Sequence, residues 1–152
     1  MYICKKFIIK ELVSKIVYDF YKPRYGEEFM WAFFDDDDKR DIDTIRETWG
    51  KPIIINNWAY GGDLSQCGLR CNLDPLVKQK KNPYCGGHNL AKGFDLHDKG
   101  GDNVGLWKHV RSLIVNKKLR KLCRLENIKS TPTWVHTDSI GSASDGLVIF
   151  NA

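Results

Sequence analysis

At 152 residues, with 42% hydrophobic residues and five Trp, the chain has the length and apolar content of one folded domain with its own core, and is too apolar for a disordered segment. The formal charge of +5 admits attraction to an anionic surface, but no motif of a DNA-reading fold accompanies it, so no nucleic-acid partner is expected. Charges interrupt every apolar run of the N-terminal segment before it reaches the length of a signal or membrane-spanning stretch, so the expectation is cytoplasmic synthesis without a signal peptide, no membrane span, and a monomer.

In chain order, Phe7, Leu12, Ile16, Val17 and Phe20 recur at helical spacing and predict an amphipathic helix from about Lys6 to Tyr21, ended by Pro23 and Gly26. The apolar run Phe29–Phe34 fits a buried strand or a helix edge equally well. Asp35, Asp36, Asp37 and Asp38 suit the positive N-terminal end of a helix whose apolar stripe is Ile42, Ile45 and Trp49 and whose C-terminal stop is Gly50. A strand is predicted over Lys51–Asn56, followed by a long irregular stretch to His88 punctuated by Gly61, Gly62, Gly68, Pro75, Pro83, Gly86 and Gly87. Further short strands are predicted at Phe94–His97, Thr133–Ile140 and Leu147–Phe150. Leu106, Val110, Leu113 and Ile114 predict a helix between them. The basic residues Lys108, Arg111, Lys117, Lys118, Arg120, Lys121 and Arg124 are read as its solvated face, His109 as a surface or packing residue, and Asp98 and Asp102 as part of a Gly-rich turn. No repeat or second domain is visible, and residues 1–152 are taken as a single domain.

The chemistry concentrates in three residues: His88 and Asp95, seven apart, and His136 some forty residues later. Two imidazoles and a carboxylate make the three-ligand set of an open zinc site, with a fourth position left for water or a substrate oxygen. Strand alternation through Trp134-Val-His136-Thr-Asp138 puts Trp134, His136 and Asp138 on one face. His97, two beyond Asp95, can share its face as an alternative ligand or as support for one. Five Cys, an odd number, favour free thiols. Cys67, Cys71, Cys85 and His88 loosely spell a structural zinc module, and a link from Cys67 or Cys71 to Cys85 is the other use these cysteines could have.

These segments resemble the zinc D-alanyl-D-alanine carboxypeptidase family, which includes phage endolysins that cut the peptide stems of peptidoglycan. The family's first His and Asp fall at His88 and Asp95, its late Val-His-x-Asp strand at Val135–Asp138, and its Gly-Tyr-Arg segment at Gly68-Leu69-Arg70, so that the likeness spans roughly Lys51 to Ile140. Small residues exchange within the first motif, where Gly86, Ala91 and Gly93 stand for the family's Ser, Gly and Ala. Thr133 stands where several relatives carry a catalytic Glu. The resemblance implies a DD-carboxypeptidase/hedgehog-like α+β fold, with N-terminal helices packed on a small, mainly antiparallel sheet, and a Zn2+ ion on His88, Asp95 and His136. It also implies a zinc metallopeptidase acting on D-amino-acid-containing peptidoglycan stem peptides, of carboxypeptidase or endolysin type, at the cell wall after release or as part of a bacteriophage particle. Asp138 is then the nearest carboxylate for a general base, Arg70 the group that orients a substrate carboxylate or carbonyl, and Trp58, Tyr60 and Trp134 the apolar substrate contacts. The alternative is a non-catalytic structural or binding protein, such as a virion component, that keeps the peptidase fold.

Overall fold

The computed structural model describes residues 1–80, 85–141 and 146–151; Pro83, placed above in the long loop, lies outside them. The first helix is divided. One turn, α1 (Ile9–Leu12), is followed by extended Val13, which bridges to Leu69, and Ser14 then caps α2 (Lys15–Trp31) by accepting from the Val17 N–H at 3.3 Å. Pro23 and Gly26 do not end α2. Gly26 takes φ 79°, ψ 172°, a conformation open to glycine, and the chain resumes its helix on the far side. That second half absorbs Phe29, Met30 and Trp31, so the apolar run belongs to a helix end and not to a strand; Met30 and Trp31 are buried while Phe29 stays exposed.

Helix α3 (Asp36–Trp49) forms as its sequence directs, with Asp35 accepting from the Asp37 N–H at 2.9 Å and Gly50 closing it in the left-handed region at φ 71°. Lys39 is fully buried in it. The ammonium is held by the Trp31 carbonyl at 3.0 Å and Asp36 at 2.8 Å, which satisfies a charge that would otherwise be costly to desolvate. A single turn α4 (Pro75–Lys78) lies in the long loop, and α5 (Asn103–Val115) starts from Asp102, which caps it through the Gly105 N–H.

The sheet has five strands, β1 (Ile53–Ile54), β2 (Gly93–Asp98), β3 (Arg124–Glu126), β4 (Val135–Asp138) and β5 (Val148–Phe150), in the order β1-β2-β4-β3-β5. All pairs are antiparallel except β3 with β5, so the class is α+β with a mixed, mainly antiparallel sheet. Pleating sorts its residues by face. Phe94, Leu96, Leu125 and Val135 are fully buried in the core with Ile42, Ile45, Leu106 and Val110 of α3 and α5. Asp95, His97, Arg124, Glu126, His136 and Asp138 occupy the other face, which is the wall of a cleft.

Strand β3 has no counterpart among the predicted elements. The basic run does not form one helix face: α5 stops at Val115, so that Lys117, Lys118, Arg120 and Lys121 follow it and Arg124 opens β3. A carboxylate turns the chain there: Asp41 of α3 accepts from the backbone N–H groups of Arg120, Lys121 and Leu122 at 2.8, 2.7 and 2.9 Å. Lys121 and Arg120 also pair with Asp35 and Asp37, so part of the basic run is spent on α3.

Asp38, fully buried beside Asp41, accepts from Ser139 Oγ at 2.9 Å through one oxygen while the other has no hydrogen-bond partner. Burial pushes its carboxyl up to about 7. The folded protein therefore holds this proton more tightly than the unfolded chain does, and the stability so contributed is lost as pH rises from the ordinary carboxylate range through about 7. Asp38→Asn should raise the melting temperature at pH 8, by roughly 2–4 °C per kcal/mol regained, with the gain shrinking towards pH 5. Thermal melts at both pH values check this; an equal shift at both would show that Asp38 does not titrate there.

Candidate metal centre

His88 arrives at the cleft on a tight loop. Gly87 and Gly93 are stacked so closely that a Cβ on Gly93 would lie 3.1 Å from the Gly87 Cα, and Ala91 between them takes φ 55°, the left-handed conformation for which glycine is better suited. The small-residue exchanges at 91 and 93 thus leave the turn in place, at the expense of one non-glycine residue in a strained region. Gly68 is equally constrained, because a Cβ there would sit 2.0 Å from the Leu12 carbonyl oxygen. Its own carbonyl faces His88 Nδ1 at 2.9 Å and so fixes that ring.

The β2–β4 register places Asp95 directly opposite His136. Candidate ligand atoms of His88, Asp95 and His136 all lie within 4.8 Å of one another, and all three residues are buried. His88 Nε2 is 3.2 Å from Asp95 Oδ2 and 3.2 Å from His136 Nδ1, and His136 Nδ1 is 2.7 Å from Asp95 Oδ1. The outward ring nitrogens are engaged elsewhere, His88 Nδ1 at Gly68 and His136 Nε2 at Asp138, 3.1 Å away. Such partners fix tautomer and ring orientation in metal-binding histidines. The group can hold a metal ion: two imidazole nitrogens and a carboxylate oxygen converge on one point, in a donor set suited to zinc.

The electrostatics of the cluster follow from the packing of two imidazoles against two carboxylates. Burial alone would pull His136 down, but its hydrogen bonds to Asp138 and Asp95 outweigh that and raise it to about 9. Burial lowers His88 despite its neighbour Asp95. Asp95 is held well below the ordinary carboxylate range: burial opposes this, and the positive charge and hydrogen bonds of His88 and His136 prevail.

Asp138, 1% exposed, meets three hydrogen-bonding groups, His136 Nε2, the Ile140 N–H at 3.0 Å and Arg124 Nη2 at 3.3 Å, while Arg124 Nε lies 2.9 Å from one oxygen as an ion pair without hydrogen-bond geometry. Arg70 donates through Nη2 to Asp95 Oδ2 at 3.0 Å and through Nε to the Gln66 carbonyl. Both Arg70 and Trp134 line the cleft, which has a volume of about 820 Å³. Trp58 and Tyr60 do not line it. Trp58 donates to the Val13 carbonyl at 3.2 Å and packs on Tyr18, and Tyr60 is exposed outside the cleft. His97 lines the cleft with Nε2 3.6 Å from Cys67 Sγ, away from the three-residue cluster, and His109 meets Thr48 and Trp49. Cys4, Cys67, Cys71, Cys85 and Cys123 are all free thiols, so no disulfide braces the loop, and His88 is directed at Asp95 and His136.

Glu126 also lines the cleft, and no motif or spacing in the sequence marks it. It sits on β3, a strand too short to show a period. Scans of protein-family models, of curated protein sequences and of solved structures each return no match.

One zinc per chain is expected, lost in His88→Ala, Asp95→Ala and His136→Ala. Asp138→Asn should weaken it by about 10–100-fold through misorientation of His136. Elemental analysis and chelator competition read these outcomes; zinc retained by His136→Ala but lost in Cys67→Ser would move the site to the cysteines.

Proposed function

We propose that the chain is a zinc-dependent peptidase that hydrolyses amide bonds in peptidoglycan stem peptides containing D-amino acids, within a DD-carboxypeptidase/hedgehog-like fold. The observation that carries this reading is the convergence of His88 Nε2, Asp95 and His136 Nδ1 on the wall of an open cleft, with the second nitrogen of each ring already held. A purely structural zinc site would be closed by a fourth protein ligand; here the described residues supply three. When bound, zinc would lower the pKa of a water in the open position and polarise the scissile carbonyl.

The chain's own residues would do the rest. Asp138, which accepts from the Ile140 N–H and Arg124 Nη2 and faces His136 Nε2, is suited to holding the His136 ring. This reading gives it an orienting role in place of the general-base role that the sequence alone suggests. Arg70, one nitrogen on Asp95, lines the cleft where a substrate carboxylate or carbonyl would enter, and Trp134 offers an apolar surface to a D-alanyl methyl. No helix among the described residues is long and apolar enough to cross a membrane.

Zinc-loaded protein incubated with purified peptidoglycan, and with a synthetic stem peptide ending in D-Ala-D-Ala, should release new amines detectable by mass spectrometry. Activity should vanish on chelation and return with zinc. No release from either substrate by fully zinc-loaded protein would favour a non-catalytic binding protein, and release that survives chelation would reject the metal's part in it.

A further inference from the structure

Four carboxylates line the cleft: Asp63, Asp95, Glu126 and Asp138. Three are accounted for. Asp95 points at His88 and His136, Asp138 is covered by Arg124, His136 and the Ile140 N–H, and Asp63 is exposed on the long loop. Glu126 differs from all of them. It is only 7% exposed, yet its carboxylate has no hydrogen bond or ion pair among the described residues, and both His136 and Asp95 lie within its electrostatic reach. The β3–β4 register pairs Arg124 with Asp138 and Leu125 with Thr137, which brings Glu126 alongside His136 on the cleft face.

Its backbone is fixed from two sides. Trp107 Nε1 donates to the Glu126 carbonyl at 2.8 Å, and Asp41 grips the chain that leads into β3. Phe150, opposite on β5, closes the flank and stands edge-on to His136 at 5.7 Å. A carboxylate with free lone pairs facing the cleft, on rigid backbone beside the ligand cluster, has the placement that proton transfer requires.

We infer that Glu126 is the general base and acid of the hydrolysis, an inference that rests on the peptidase reading above. As the attacking water forms its C–O bond to the scissile carbonyl carbon, Glu126 accepts one of its protons. The same proton passes to the amide nitrogen as the C–N bond breaks, giving a carboxylic acid and a neutral amine and regenerating the carboxylate. No other reactant is needed, and the glutamate is supplied from β3 in place of the position held by Thr133.

The test compares wild type, Glu126→Gln and Asp138→Asn in three readouts: zinc affinity by chelator competition, kcat and KM on the synthetic stem peptide, and carbodiimide labelling of carboxyl groups in metal-free protein, mapped by mass spectrometry. Glu126→Gln should keep zinc affinity and KM near wild type while kcat falls by about 10²–10⁴-fold. Asp138→Asn should instead weaken zinc by about 10–100-fold, and loading it with excess zinc should restore most of kcat. In the wild type, Glu126 should label ahead of Asp138. A kcat in Glu126→Gln near that of wild type overturns the inference, as does labelling of Asp138 with Glu126 protected, a result that requires no variant to fold. Failure of the peptidase reading is distinguished by the wild type: zinc-loaded protein without turnover rejects that reading and this one together, whereas an active wild type with an equally active Glu126→Gln rejects this one alone.

Discussion

The pairing of Asp95 with His136 across β2 and β4 is the constraint on which the rest of the site depends. Strand side chains alternate, so a one-residue slip would send either partner to the helix-packed face and bring Phe94, Leu96 or Val135 into the cleft. The hydrophobic core therefore enforces the ligand geometry. Phe94, Leu96 and Val135 have nowhere else to be buried, and their burial fixes Asp95, His136 and Asp138 on the opposite side. His88 is not in the sheet, and reaches the same point only because Gly87 packs against Gly93 at the first residue of β2.

Burying this much charge is tolerable because each group of the cluster has an opposite partner. Asp95 is surrounded by Arg70, His88 and His136, and Asp138 by Arg124 and His136, so the His136 ring lies between two carboxylates. An imidazole in that position retains its proton, and a divalent ion would replace the proton with a larger charge at the same centre. Arg70 and Arg124 sit outside the ligand triangle. They are placed to limit the negative charge left on the two carboxylates whichever cation is held.

The parts of the molecule legible in the sequence were those in which one local rule decides the outcome. Asp35 and Gly50 delimit α3 because N-cap chemistry and the left-handed stop act within a few residues, and the stripe Leu106, Val110 and Ile114 of α5 follows from helical period alone. His88, Asp95 and His136 were legible because ligand types and spacing are themselves the signal. Segments settled by distant partners were not. Val13 leaves the helix because it bridges to Leu69, and α2 outlasts Pro23 and Gly26 because Met30 and Trp31 find a core to fill. Trp58 has an aromatic face and a loop position that suit ligand contact, yet it packs on Tyr18, a choice no local pattern encodes. Strand β3 is three residues long inside a basic run, so neither period nor composition marks it, and Glu126 was hidden with it.

Buried aspartates take over where regular structure ends. Asp43 accepts from the Lys5 and Lys6 N–H groups and from the Tyr2 hydroxyl, tying the N-terminal segment to α3. Asp74 accepts from the Cys71 N–H and from Ser14 Oγ, tying the long loop to the start of α2, and Asp98 accepts from Trp49 Nε1 and the Asp102 N–H. Asp41 does the same for the turn into β3. A carboxylate has two oxygens and about four lone-pair directions, so one aspartate can satisfy several backbone donors that no ladder or helix would reach. In a chain whose strands are two to six residues long, the irregular segments carry much of the geometry, and these aspartates make them rigid enough to support a site. The run Asp35 to Asp38 shows the same economy. Asp35 caps α3 and pairs with Lys121, Asp36 holds buried Lys39, Asp37 meets Arg40 and Arg120, and Asp38 reaches Ser139 at the end of β4. Four adjacent acids that look alike in the sequence are separated by helical rotation into four directions, two of which, through Lys121 and Ser139, lead to the strands that frame His136 and Glu126.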